Sequence, residues 1–117
     1  MNTIQANAIK TAVQIAIDLL VRGEFDALEA MIRGRRLNAA QMAAAINEYG
    51  RTLVVPPEYA WELLDVVQVT NSDPPLYDVR MPLFTKEEGR SDLTLFLTLR
   101  EFDRGLLETE IDGIYVP

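Results

Sequence analysis

Apolar side chains change their spacing once along this chain. From Thr3 to Tyr49 they return every three or four residues, the period of an amphipathic helix. From about Val66 to Val116 they alternate with polar residues, the period of a strand with one wet face. Asn2 followed by Gln5 has the spacing of a capping box and starts a first helix near Thr3. Ile9, Val13, Ala16, Ile17 and Leu20 form its stripe, and Gly23 ends it. A short second helix over about residues 24–32 buries Phe25, Leu28 and Ile32 and breaks at Gly34. A third begins at Asn38, again with a glutamine three residues on, and stops at Gly50. Pro56 and Pro57 bar a helix or a central strand at that point. Beyond them a helical turn over residues 59–64 lays Trp61 across the core, a first strand follows near residues 66–69, and residues 71–75 form a turn.

Register follows from the same alternation. Directly opposed side chains of an antiparallel pair share a face, so leucine belongs opposite leucine. A three-residue loop at Asp103, Arg104 and Gly105 pairs Phe102 with Leu106, Arg100 with Glu108, Thr98 with Glu110 and Leu97 with Ile111. A turn through residues 86–89 that sets Thr85 against Ser91 opposes Leu83 to Leu93, Met81 to Leu95, Val79 to Leu97 and Tyr77 to Leu99. The expected architecture is one α+β domain over residues 1–117. Its N-terminal helices, about 3–50, cover the apolar face of an antiparallel meander, about 65–116, with the 91–102 strand in its middle.

Composition narrows the chemistry. With neither cysteine nor histidine among its 117 residues, the chain has no thiol nucleophile, no thiolate or imidazole metal ligand and no Ser-His-Asp relay. No calcium-type loop and no phosphate-binding glycine loop occurs either. No catalytic residue, metal site or cofactor is therefore assigned. The apolar run 12–21 is interrupted by Gln14 and Asp18, and the N-terminus lacks the order of a signal peptide, so a cytoplasmic protein that enters no membrane is expected.

Charge is uneven. Residues 1–57 hold six Lys/Arg and five Asp/Glu; residues 58–117 hold five and thirteen, and the net is −7. Such a field repels nucleic acid and speeds encounter with a basic protein. Glu108, Glu110 and Asp112 fall on the sheet face opposite the leucines, a face expected to be wet and to carry an Arg100–Glu108 cross-strand pair. Phe96 sits among them and keeps a second reading of that solvated face open, an interaction surface. Glu87 and Glu88 extend it from a solvated turn. Asp92 is expected to cap that turn or pair with Arg90, and Arg33, Arg35 and Arg36 to form a solvated helix end. Trp61, Tyr77, Asp78 and Asp92 are the candidates for a pocket.

Two stretches carry a resemblance. ArgGlyGluPheAspAlaLeu, residues 22–28, resembles the helix-to-helix junction of the nuclear-transport-factor-2-like (cystatin-like) superfamily. ThrLysGluGluGlyArgSerAspLeuThrLeu, residues 85–95, with GluThrGluIleAspGlyIleTyrVal, residues 108–116, is similar to a small uncharacterised bacterial domain family. The resemblance implies helices packed into a strongly curved antiparallel sheet, in a superfamily of cyclases, isomerases, dehydratases, ligand carriers and immunity proteins of bacterial toxin systems. Enzymes of that superfamily set an Asp or His dyad with Tyr inside the cone, whereas the inward positions here read Tyr, Val, Met and four Leu. Together with the missing catalytic chemistry, the acidic second half and the small size, the resemblance leads to the expectation of a non-enzymatic, immunity-type inhibitor of a basic toxin domain, acting through the sheet-face and turn residues Phe96, Glu108, Glu110, Asp112, Glu87 and Glu88. Two other readings stay open: a small-ligand binder or enzyme with a pocket under the sheet, and a homodimer that pairs through the sheet face.

Overall fold

A computed structural model describes residues 1–117. The capping boxes open two of its three helices. In α1 (Thr3–Arg22) the Gln5 amide donates to Asn2 Oδ1 at 2.8 Å and the Asn2 amide donates back to Gln5 Oε1 at 2.9 Å. In α3 (Ala39–Tyr49) Asn38 and Gln41 repeat the exchange. These bonds satisfy amides that the helix itself leaves without partners. Between them α2 (Phe25–Ile32) ends on Arg33, which takes the left-handed conformation (φ 59°) one residue before the Gly34 at which a break is expected. By length and composition α1 would be long and apolar enough to cross a membrane. In the fold its expected stripe, Ile9, Val13, Ala16, Ile17 and Leu20, is buried.

After α3 come β1 (Leu53–Val54), a 3₁₀ turn (Glu58–Leu63), β2 (Asp65–Gln68), β3 (Leu76–Thr85), β4 (Gly89–Asp103) and β5 (Leu106–Tyr115). All pairings are antiparallel in the order β1-β3-β4-β5, and β2 also pairs with β3, further along the edge that β1 uses. The fold is α+β, with N-terminal helices on a five-stranded sheet, an arrangement compatible with the nuclear-transport-factor-2-like cone.

The central registers are those the leucines dictate: Tyr77, Val79 and Met81 face Leu99, Leu97 and Leu95, and Leu97 faces Ile111. Both turns differ from expectation. Arg104 (φ 46°) and Gly105 (φ 83°) form a two-residue turn, the backbone signature of type I′, whose twist matches the strands it joins. Asp103 then opposes Leu106, and Phe102 bulges out of register and is 55% exposed. At the other end Thr85 opposes Gly89 rather than Ser91, and β4 carries two extra residues between Pro82 and Phe84 of its partner. Proline offers no amide to the ladder there. The Ser91 hydroxyl compensates by donating to the Leu83 carbonyl at 2.7 Å and accepting from the Leu93 amide at 3.2 Å.

The space under the sheet is filled. Tyr77, Val79, Met81 and Leu83 of β3, Leu93 to Leu99 at alternate positions of β4, and Ile111 and Ile114 of β5 pack with the α1 stripe, Leu28, Ile32 and Met42 in one cluster. The Tyr77 hydroxyl lies in this cluster without a hydrogen-bond partner. Burial, and secondarily the negative charge of Glu101, raise its pKa above the ordinary 10.0.

Candidate functional site

Alternation puts Asp78 and Arg80 of β3, Asp92, Thr94, Phe96, Thr98 and Arg100 of β4, and Glu108 and Glu110 of β5 on the face away from the helices. Phe96 opposes Gly113, and the missing side chain lets the Tyr115 ring fold back over that position. Phe96 and Tyr115 stack with centroids 4.4 Å apart and planes 12° from parallel. The Arg80 guanidinium stands 5.4 Å from the Phe96 centroid and is held from the other side by Asp65 at 3.7 Å. Phe96 is half-buried and Tyr115 exposed, so the aromatic feature presented to solvent is the stack rather than a lone phenylalanine.

The three aligned acids of β5 are not free. Glu108 meets Arg33 at 3.8 Å and Arg35 at 3.4 Å. Glu110, only 12% exposed, meets Arg35 at 3.3 Å, Arg36 at 3.5 Å and Arg100 at 3.7 Å. Asp112 accepts from the Thr98 hydroxyl at 2.7 Å through Oδ2. Its Oδ1 is 3.0 Å from Arg36 Nη1, a charge contact whose angle is wrong for a hydrogen bond. The wet face and the solvated helix end expected from the sequence are thus one network. The physical reason is neutralisation: four guanidiniums meet three carboxylates where both would otherwise be partly desolvated and unpaired. Arg100 lies across from Glu108 in register but reaches diagonally to Glu110, which corrects the expected Arg100–Glu108 pair. The sequence did carry a signal for this network, in three arginines within four residues and three acids at alternate strand positions, but nothing in it placed the two segments together.

Glu87 and Glu88 are exposed, as expected of a solvated turn, but both are also hydrogen-bonded. The Thr52 amide donates to Glu87 Oε1 at 2.8 Å and the Thr52 hydroxyl to Oε2 at 3.0 Å. The bond from the Thr52 amide is the largest reason that the Glu87 pKa lies below its ordinary 4.5. Glu88 accepts from Tyr49 and Thr85 hydroxyls, each at 2.9 Å. Together they clip the β3–β4 hairpin to the chain leaving α3.

The four pocket candidates are not brought together. Tyr77 is in the core, Asp78 is on the opposite face of the same strand, and Trp61 lines a surface groove of about 340 Å³ beside α1. Asp92 lies in a depression with Arg90, Thr94 and Val116. Its carboxylate neither caps the turn nor pairs with Arg90; Glu88 and Ser91 serve the turn instead. Asp78 and Asp92 are consequently the unpaired carboxylates of this face, one on each side of the Phe96–Tyr115 stack. No group of three or more acids is placed to hold a metal ion.

Residues 17–117 match the family model described as "Domain of unknown function (DUF7668)". No curated protein and no solved structure matches the chain.

Proposed function

For this chain, which belongs to the DUF7668 family, we propose a non-enzymatic role as a protein-binding module of the immunity type, in which the outer sheet face occludes a basic domain of a bacterial toxin. One observation carries the reading: an aromatic stack, Phe96 on Tyr115, is bracketed by the unpaired carboxylates Asp78 and Asp92 on an otherwise paired face. Aromatic anchors ringed by charge are the usual centre of a protein interface. Lysine or arginine of a partner would find carboxylates there and an aromatic face to stack on. The filled core beneath the sheet favours action from the exterior, because the inward positions hold Leu, Met, Val and a buried Tyr. The β5 acids and Glu87/Glu88 support this surface from behind by holding β5 and the β3–β4 hairpin in place. The nuclear-transport-factor-2-like resemblance belongs to the same reading, as the source of the immunity assignment.

Titration of the purified chain with a basic bacterial toxin domain captured from its own organism tests the proposal. Phe96→Ala is expected to weaken binding by roughly 30-fold, the effect of an anchor, and Asp78→Arg with Asp92→Arg to abolish it. Full affinity in the triple variant, with the fold intact by circular dichroism, would reject this surface.

A further inference from the structure

The second unexplained surface lies on the helical side. Ile4 is 79% exposed, Ile15 47%, Met31 36%, Phe102 55% and Leu106 57%. At 100° per residue Ile4, Ala8, Thr11 and Ile15 fall within one narrow stripe of α1, on the side away from the buried stripe. Two surface grooves, of about 280 and 420 Å³, run beside that stripe and share Ala12, Ile15 and Leu107. Met31 and Phe102 line the first groove, and Leu106 the second. The two grooves join through these shared residues, Ile4 extends the stripe by one turn beyond Ala8, and the bulge at Phe102 delivers the aromatic ring to the first groove. The five side chains leave roughly 500 Å² of apolar surface, the upper range for one patch on a monomer. With Ala8, Thr11 and Leu107 it approaches the ~800 Å² each partner contributes to a stable interface.

We infer that a second copy of this chain covers the patch, with the two α1 helices antiparallel across a two-fold axis between Ala8 and Thr11. The stripe reads large, small, small, large, and this order is its own reverse. Ile4 of one chain meets Ile15 of the other, and Ala8 meets Thr11, where small side chains let the helices approach. A two-fold interface requires that kind of self-matching. Charge selects the same occupant. Two chains of net −7 repel, so they can approach only where acids are missing, and the stripe residues are uncharged from Ile4 to Ile15. The one acid lining the two grooves, Glu108, is already paired with Arg33 and Arg35, so a basic partner finds no free carboxylate there. The outer sheet faces stay free in this dimer, so its existence is independent of the partner reading above.

Sedimentation equilibrium and light scattering test the oligomeric state, and disulfide trapping tests the register. The wild-type chain is expected at twice its 13.2 kDa mass. Ile4→Glu and Ile15→Glu are expected each to return it to 13.2 kDa. Both positions are exposed, so an unchanged helical spectrum distinguishes loss of pairing from loss of fold. Because the native chain lacks cysteine, Ile4→Cys and Ile15→Cys chains mixed under oxidation should give the crossed disulfide in preference to either self-disulfide. A wild-type monomer at about 100 μM, well above typical stable-interface dissociation constants, would overturn the inference. So would a dimer that survives both glutamates, or random disulfide partitioning.

Discussion

Gly113 holds its place because of what lies over it. Its Cβ would run into the Tyr115 ring, and the register puts Phe96 directly across from it. Gly113→Ala should therefore push Tyr115 off Phe96 and destabilise the fold by about 1–3 kcal/mol, the usual range for an overpacked site. Tyr115→Ala in the same chain should recover much of that loss, read as urea midpoints. Glu87 makes a different kind of claim. Its folded pKa is depressed chiefly by the Thr52 amide bond, so the native state binds its proton less readily than the unfolded chain does. That contribution is fully present above the ordinary 4.5 and is lost as pH falls through the folded value. The stability gap between wild type and Glu87→Gln should accordingly be widest at neutral pH and close at acid pH. A gap that widened on acidification would refute the assignment. Neither role was legible in the sequence. IleAspGlyIleTyr reads as strand with a glycine in it because Phe96, onto which Tyr115 folds, comes from another strand, and GluGlu in a turn gives no sign of Thr52, which follows α3 far back in the sequence.

Elements were more legible where a single period governs a long run. The capping boxes at Asn2 and Asn38, the α1 stripe and the central registers of Tyr77, Val79 and Met81 against Leu99, Leu97 and Leu95 follow from local spacing and appear as expected, whereas the Leu83–Leu93 pair is lost to the bulge after Pro82. The two-residue β1 has no period to read, and the turns depend on backbone twist and on Pro82 rather than on matching side chains. The position of the loop between α2 and α3 was legible from Gly34 and Asn38, but its conformation was not. Arg33, Gly34 and Arg36 all have positive φ (59°, 63° and 68°), a conformation that arginine adopts only against steric resistance. The contacts with Glu108, Glu110 and Asp112 offset that strain, and they lie more than seventy residues away in sequence. Glu110 is the hub. Glu110→Gln should destabilise the protein by about 1–3 kcal/mol, as expected for a little-exposed charged acceptor. The loss should shrink in about 1 M salt, where screening shortens to ~3 Å. Thermal melts of both proteins across a salt series would measure it, and an equal loss at every salt concentration would mean that packing, not charge, holds the loop.

At the scale of the whole molecule, the ion pairs divide the charge into two populations. Seven acids and seven bases take part in ion pairs, so the net −7 resides in the remaining eleven acids and four bases. The sequence exposed the size of this imbalance and its bias toward the second half, but not which carboxylates were free. The β5 acids it pointed to most strongly are the ones the fold consumes. Long-range steering depends on total charge, whereas the stability of a complex depends on the few groups that touch. The two effects therefore separate in kinetics. The association rate with a basic domain should fall by about ten-fold or more between low and physiological salt, with the dissociation rate changing far less. Neutralising distant unpaired acids, Glu48→Gln with Glu62→Gln, should slow association and leave dissociation alone. Phe96→Ala should do the reverse, because the stack removes no charge yet sits between the two free carboxylates. Surface plasmon resonance across a salt series resolves both rates. If Phe96→Ala altered association alone, the stack would be a bystander, and the binding centre would have to be sought elsewhere on the acidic surface.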